Sequence, residues 1–382
     1  MNIVFVSNYM SHHQLFLSNE LYEITGGHYS FIATEPISDE RLKMGWQRIT
    51  APYIIEVDNS NKECVMQIIR DADVVVIGSA PYSYIAEAAK SGKLIFKYGE
   101  RIYKEGAPWW RVLVHRFRYR KQFHPYKNIY KLCASAFAPL DYSLTNTFID
   151  KCYRWGYFTE AKKYDSVETL IRSKGNSKVS ILWTSRLIDW KHPEIPVLIA
   201  EKLKNDGIAF QMNMIGVGPL EESINSMIAT KGLKDCVTML GAMKPEQVRE
   251  QMEKSNVFLF TSDKNEGWGA VLNESMNSGC AVVASSAIGS VPFLIKDGDN
   301  GIIYRDGDQE DLYTKLKSII QDSSERARIG INAYYTIIND WSPRNAAKRL
   351  VSLSNALLDG DDCNMYEEGP CSKAPILKDK WY

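Results

Sequence analysis

Residues 261–285 read TSDKNEGWGAVLNESMNSGCAVVAS, and their pattern decides how the rest of the chain is understood. An apolar run, VFLFTS (257–262), leads in, and another, CAVVAS (280–285), leads out. Between them a helical pattern, AVLNESMNSG, opens on Gly267, Trp268 and Gly269. Strand, loop, helix, strand is the repeating unit of a parallel sheet covered by helices. Two carboxylates frame that unit. Glu266 lies in the loop at the strand's carboxyl end, and Glu274 follows on the helix. Singly, the first reads as a loop acid or cap and the second as a solvated helix residue. Together they have a second use. Eight residues span ~12 Å when helical, comparable with the distance from sugar to ribose in a nucleotide-diphospho-sugar. The helix start between them offers unpaired N–H groups and a positive dipole end to the diphosphate.

Runs of the same kind recur at 2–7, 29–34, 73–79 and 93–99, and again at 178–185, 210–216 and 236–241. Helical segments such as EIPVLIAEKLKNDG and KPEQVREQMEKS separate them. This βαβα alternation, twice over, predicts an α/β protein of two doubly wound, Rossmann-like parallel-sheet domains. Ligands of such sheets bind beyond the carboxyl ends of the strands, here in a cleft between the domains. A length of 382 residues is enough for two cores. The polar break RSKGNSK (172–178) sets the seam, giving a first domain at 1–172 and a second at 173–345. A helix at 346–358 follows, with a return to the first domain as one option, and the polar tail 359–382 is a candidate for disorder.

Composition narrows the function classes. With 46 basic and 46 acidic residues the chain has no global pull toward nucleic acid. No apolar run approaches the ~18 residues that span a bilayer, and MNIVFVSNYM reads as a strand rather than a signal peptide. Seven scattered cysteines without a C-x-x-C pair suit reduced thiols and a cytoplasmic setting. Six histidines show no metal-ligand spacing, and the D-x-D triplets Asp297/Asp299 and Asp306/Asp308 carry glycine centrally, which reads as turn chemistry.

Other chemistry-bearing residues also fall at strand ends. Arg186 and Lys191, in TSRLIDWKHPE, can converge on the same diphosphate and offset charge on a leaving nucleotide. Gly216 and Gly218, in MIGVGPLEE, permit close backbone approach or simply a turn. Glu221 stands where a dinucleotide fingerprint needs its third glycine, which disfavours a nicotinamide enzyme. His12 and His13 follow the first strand, as acceptor- or sugar-side groups or as a helix cap. Glu100 and Arg101, after another strand, are further acceptor-side candidates. Each residue alone has a plain structural reading. Their ordered placement gives the set its weight.

In that order TSRLIDWKHPE, MIGVGPLEESI, LGAMKPEQV and the opening stretch resemble the donor half of the family 4 retaining glycosyltransferases, enzymes of GT-B fold with an E-x7-E motif. The resemblance is specific over ~178–305 and thinner before it. It implies that Glu266 bonds the transferred sugar's hydroxyls and Glu274 the ribose. It implies that Arg186 and Lys191 grip the diphosphate with backbone N–H groups from Gly267, Trp268, Gly269, Ala270, Val271 and Leu272, while Met243 lines the base. It implies no bound metal or other cofactor, and a departing phosphate oxygen that takes the acceptor's proton. Three positions depart from the family pattern. His192 replaces the usual glycine after the lysine, GSVPF puts Ser290 and Phe293 where Gly and Glu are usual, and SNYMSHHQ replaces a glycine-rich loop.

From Trp109 to Lys131 the chain is basic and aromatic, with seven Lys/Arg and no acid between Arg111 and Lys131. One reading is a packed helix pair with a solvated basic face. The other is an anionic membrane surface, which suits a lipid-linked saccharide acceptor. The expected activity is sugar transfer from a nucleotide-diphospho-sugar to an acceptor hydroxyl, in polysaccharide or glycoconjugate assembly. A nucleotide-sugar epimerase and a non-catalytic nucleotide-sugar binder share the same features and stay open here.

Overall fold

Strand formation follows burial in both halves of the chain. The computed structural model describes residues 1–38, 48–175, 178–361, 365–378 and 380–382. They divide into two units: Met1–Glu160 with Trp341–Lys378, and Ala161–Asp340 with Asp379–Tyr382.

The first unit holds β1 (Ile3–Ser7), β2 (Tyr29–Ala33), β3 (Ile54–Glu56), β4 (Val74–Ile77), β5 (Leu94–Gly99), β6 (Ile129–Cys133) and β7 (Cys152–Arg154). These pair in parallel in the order β3-β2-β1-β4-β5-β6-β7. The second holds β8 (Val179–Thr184), β9 (Phe210–Ile215), β10 (Val237–Gly241), β11 (Val257–Phe260), β12 (Ala281–Ser285) and β13 (Ile302–Tyr304). Their parallel order is β10-β9-β8-β11-β12-β13. Central strands such as VVVI at 74–77 and VFLF at 257–260 are buried at every position. Helices cover both faces of such strands, so no residue of the strand needs to be polar. In each sheet the order runs outward from the first strand and then resumes on its other side. The switch points therefore lie between β1 and β4 and between β8 and β11. The second fact positions the site.

Three strands escape the apolar-run reading. β3 and β7 are three residues each, and β3 has no fully buried position. β6, IYKLC, carries a lysine in its middle. The basic stretch 109–131 is accordingly two elements, the helix Trp109–Phe123 and then β6. Lys131 is not a surface charge but 1% exposed. Its ammonium donates to the Gly99 carbonyl at 3.0 Å and lies 5.0 Å from the Tyr142 ring centroid. Burial pushes its pKa down to about 8.

The seam falls at Glu160/Ala161, ahead of the polar break at 172–178. The reason is local packing. The helix Val167–Ser173 lies against Gly279, where an added Cβ would stand 3.2 Å from Ile171, and the Lys162 N–H donates to Asn277 Oδ1 at 2.8 Å. The helix Pro343–Asp359 belongs to the first unit, with Arg344 pairing to Glu20 and Glu23 at 3.1 and 3.3 Å.

The tail after 359 is more than a disordered end. Cys371 N–H donates to Arg154 O at 2.8 Å, Arg154 N–H to Ser372 O at 2.7 Å and Ala374 N–H to Cys152 O at 3.0 Å. These bonds cover the otherwise open edge of β7, which blunts a pairing hazard. Cys371 is buried; Cys363 lies outside the described residues. In the second unit Trp381 donates to Ser286 O at 2.9 Å, and Tyr382 bonds Asp297 and Lys315 at 2.5 and 2.8 Å.

Candidate active site

The loops leaving β8 and β11 flank the switch point of the second sheet, and they carry the acid and the cations singled out above. After β8 the backbone turns through a single 3-10 turn, Asp189–Lys191, and then through His192 at φ 52. After β11 it runs through Thr261 and Ser262, both buried, to Glu266. Hydrogen bonds tie the two loops together. Trp183 Nε1 donates to Thr261 Oγ1 at 2.9 Å, Thr261 Oγ1 donates to Lys191 O at 2.8 Å, and the Asp263 N–H donates to Trp190 O at 3.1 Å.

This lacing brings Lys191 Nζ onto Glu266 Oε2 as a hydrogen-bonded ion pair whose side chains are only 11% and 10% exposed. Ser262 Oγ donates to the same oxygen at 3.1 Å, and the Gly289 N–H donates to Glu266 O at 3.1 Å. The Lys191 ammonium also lies 4.2 Å from the Trp190 ring centroid. Arg186 joins through that indole, 6.0 Å from its centroid, and remains exposed, with no carboxylate pairing to it among the described residues. An acid held by a lysine and a serine is oriented in advance. An exposed arginine beside it is available to an anion.

Gly269, at φ 83, ends the loop, and a Cβ there would stand 2.5 Å from the Phe260 ring. The helix Ala270–Asn277 begins at once, with no side-chain cap and no acid in its first turn. Gly267 precedes it within the buried part of the loop; Ala270, Val271 and Leu272 form the first turn, with the Leu272 N–H returning to Gly269 O at 2.9 Å. Trp268 is wholly buried, its indole N–H on Asn273 Oδ1 at 2.9 Å and its ring 6.4 Å from that of Phe293, so its side chain packs rather than faces a ligand. Glu274 stands half-buried on the same helix. Met243, half-buried, sits in the loop after β10, two strands from the switch point.

Gly216 and Gly218 have a packing job. Added Cβ atoms would stand 1.8 Å from Ser185 O and 2.4 Å from Leu187 O, and the Leu187 N–H donates to Val217 O at 3.0 Å. Their lack of side chains lets the loop after β9 press against the backbone that carries Arg186.

His192 occupies a left-handed conformation that L side chains adopt at a cost of ~1–2 kcal/mol. Its imidazole bonds Glu194 at 2.9 Å and lies 3.5 Å from Asp263. Replacing it by glycine trades strain against those contacts and against glycine's extra chain entropy. His192→Gly is expected to raise stability by ~0.5 kcal/mol, a Tm gain of ~1–2 °C by calorimetry. A fall in Tm would show that the two carboxylate contacts outweigh the backbone strain.

In the first unit the candidates separate. His12 and His13 open the helix His12–Ile24, but neither caps it, because Ser11 holds the N-cap position. Their ring centroids are 3.8 Å apart, and His13 stacks on Tyr157 at 5.7 Å. Tyr157 donates to Glu100 Oε1 at 2.5 Å, and Lys104 donates to Glu100 Oε2 at 2.6 Å. His13 and Glu100 thus share Tyr157. Arg101 is buried on Asp141, which also accepts from the Ile102 and Tyr103 N–H groups at 2.7 and 2.9 Å. Removing one partner of such a pair costs ~3–5 kcal/mol, so the pair supports the fold of this unit. Ser262, Thr261, Trp183 and Trp190 are the site residues the sequence reading passed over. Their only signal is adjacency to the strand-end charges.

Two all-parallel sheets, each with the doubly wound order, define the GT-B architecture, and the solved structures agree. HepE of Anabaena, crystallised with UDP, is similar over 93% of this chain and 100% of its own, with a TM-score of 0.69 at 15% identity. Residues 168–336 match the family described as glycosyl transferases group 1. Among the curated relatives, the amylovoran biosynthesis glycosyltransferase of Erwinia amylovora is 26% identical over 192 residues, 49% of this chain and 47% of that one. The sulfoquinovosyl transferase of Arabidopsis thaliana is 31% identical over 173 residues, 44% of this chain and 32% of that one. The chain spans about half the length of the first relatives it matches.

Proposed function

We propose that this chain is a retaining glycosyltransferase that moves a sugar from a nucleotide-diphospho-sugar to an acceptor hydroxyl in polysaccharide or glycoconjugate assembly. The carrying observation is the Lys191–Glu266 pair at the switch point, beside Arg186 and the uncapped start of Ala270–Asn277. The family match and the amylovoran relative support the reaction class, and HepE, crystallised with UDP and with UDP-glucose, supports the donor class.

In this reading Glu266 accepts hydrogen bonds from the hydroxyls of the transferred sugar, and Glu274 from those of the ribose. The bond from the anomeric carbon to the phosphate oxygen breaks, and the bond to the acceptor oxygen forms on the same face. The acceptor's proton passes to the departing phosphate oxygen. Lys191, Arg186 and the helix N–H groups offset the charge that builds on the nucleotide, the work a metal ion does elsewhere. The acceptor is a saccharide carried on a lipid, met by the protein at a membrane surface. Among the described residues no helix is long and apolar enough to cross a membrane, so such contact is peripheral.

A thermal-shift panel tests the donor assignment. A nucleotide-diphospho-sugar at 100 times its Kd is expected to stabilise the protein by ~2.7 kcal/mol, and the matching nucleoside monophosphate far less. No shift with any nucleotide sugar sinks the proposal. A shift with turnover that needs no acceptor points instead to an epimerase.

A further inference from the structure

The helix Trp109–Phe123 is built in reverse on its outer side. Its inner side is ordinary: His115, Tyr119 and Phe123, spaced by four, are buried, with ring centroids 5.4 Å from one to the next, the first pair stacked and the second tilted. Its outer side carries Trp109 at 75% exposure, Trp110 at 56%, Leu113 at 43%, Val114 at 57% and Phe117 at 75%. Residues 109, 113 and 117 form one row along the helix, and 110 and 114 the row beside it. Five large apolar side chains in adjacent rows of one helix are a patch rather than scattered exposure.

Cations border that patch on both sides. Arg111 and Arg118 lie along one edge; Arg116 and Arg120 lie along the other, continued by the imidazole of His124 at the spacing of four that stacks side chains. No acidic residue lies between Gly106 and Leu140.

The second edge borders an open depression of about 240 Å³ lined by Arg116, Arg120, His124, Thr145 and Asn146. Its floor is fixed by a strained loop. Asn146, Phe148 and Asp150 all have left-handed backbone, at φ 52, 53 and 58. Phe148, bulky and buried, is the costly one, and such strain persists only where the surroundings enforce it. The loop aims the Asn146 carbonyl at His124 Nε2, 2.9 Å away. Two more apolar side chains are exposed beside it, Leu144 at 43%, the last residue of the helix Ala138–Leu144, and Ile149 at 49%, in the loop.

We propose that this face docks on an anionic lipid bilayer, with Trp109, Trp110, Leu113, Val114 and Phe117 entering the interface and the Arg116–Arg120–His124 depression holding the phosphate of one acidic lipid headgroup. The charge pattern selects this occupant. A protein partner of matching shape would need to supply acid along both edges and apolar surface between them. A bilayer of acidic lipids presents that layering everywhere, with phosphates above acyl chains and indole rings favoured at the boundary. The role rests on the transferase reading, in which the acceptor is lipid-borne, but the docking does not involve the donor residues.

The test is co-sedimentation of the full chain with vesicles of phosphatidylcholine alone and of phosphatidylcholine with about 30% phosphatidylglycerol, an acidic surface of the kind that attracts basic segments. Tight binding is expected only to the acidic vesicles, weakening from low to high salt. Arg116→Ala with Arg120→Ala is expected to weaken it about 30-fold, at about fivefold per cation. Trp110→Ala with Phe117→Ala is expected to abolish both binding and the blue shift of tryptophan emission on adding vesicles. The nucleotide-sugar thermal shift is expected to be unchanged in all four substitutions, which separates this outcome from failure of the donor assignment. Equal binding to neutral and acidic vesicles, wild-type binding by the double-arginine variant, or a stable homodimer that buries this face each overturns the proposal.

Discussion

Glu266→Gln is expected to lower sugar transfer by ~10²–10³-fold while leaving the protein folded. The amide is chosen because its oxygen can still accept from Lys191 and Ser262. Alanine would remove the carboxylate that pairs with Lys191, at ~3–5 kcal/mol, and confuse catalysis with stability. What the amide removes, in the proposed reaction, is the negative charge beside the anomeric centre and one acceptor for sugar hydroxyls. Lys191→Met is expected to be comparably slow, through loss of the cation that meets the leaving nucleotide in the proposed reaction, and less stable by ~3–5 kcal/mol because it breaks the buried pair. The two side chains touch, so their effects are not independent. The double variant is expected to fall little further than either single one, the behaviour of groups that work as a unit. Nucleotide release at saturating donor and acceptor reads all three. Near-wild-type turnover by Glu266→Gln would falsify the assignment of this carboxylate.

Gly216→Ala carries the largest expected loss of stability. A Cβ at this position would stand 1.8 Å from Ser185 O and 2.9 Å from Ser185 C, on a backbone at φ 139. Neither side can retreat cheaply. The Ser185 N–H donates to Ile215 O at 3.1 Å and the Leu187 N–H to Val217 O at 3.0 Å, so separation would break the join of β8 to β9. The expected cost is at least ~3–4 kcal/mol, against a usual total of ~5–15. That corresponds to a fall in Tm on the order of 10 °C for a unit of this size. Gly232 is the control. It also has positive φ, at 65, but nothing lies within 4 Å of its added Cβ. Gly232→Ala is expected to cost only ~1 kcal/mol, the strain alone. Equal melting of the two variants would show that contact with Ser185 is not what demands glycine.

The parts of the fold that could be read from sequence are those where burial leaves one chemical option. VVVI at 74–77 and VFLF at 257–260 must be apolar throughout, because helices cover both sheet faces. β6 escaped because Lys131 satisfies its ammonium with the carbonyl of Gly99 and a tyrosine ring, a solution no local pattern announces. The site divides in the same way. Arg186, Lys191 and Glu266 stood out as charges at strand ends, where a core has no use for them. Thr261 and Ser262 looked like the tail of an apolar strand, though one laces the loops and the other holds the carboxylate. The pairing of Arg101 escaped notice because its partner, Asp141, lies forty positions away in sequence. Distance along the chain, rather than ambiguity of chemistry, hid it.

The interrupted first unit has a consequence for biosynthesis. Its helix Pro343–Asp359 and the segment that seals β7 are translated only after Ala161–Asp340, which forms nearly all of the other unit. On the ribosome, therefore, the later-encoded sheet can close first. Meanwhile the earlier one waits with the groove beside His12–Ile24 uncovered and one border open. During that interval the nascent chain is most exposed to mispairing and most dependent on chaperones.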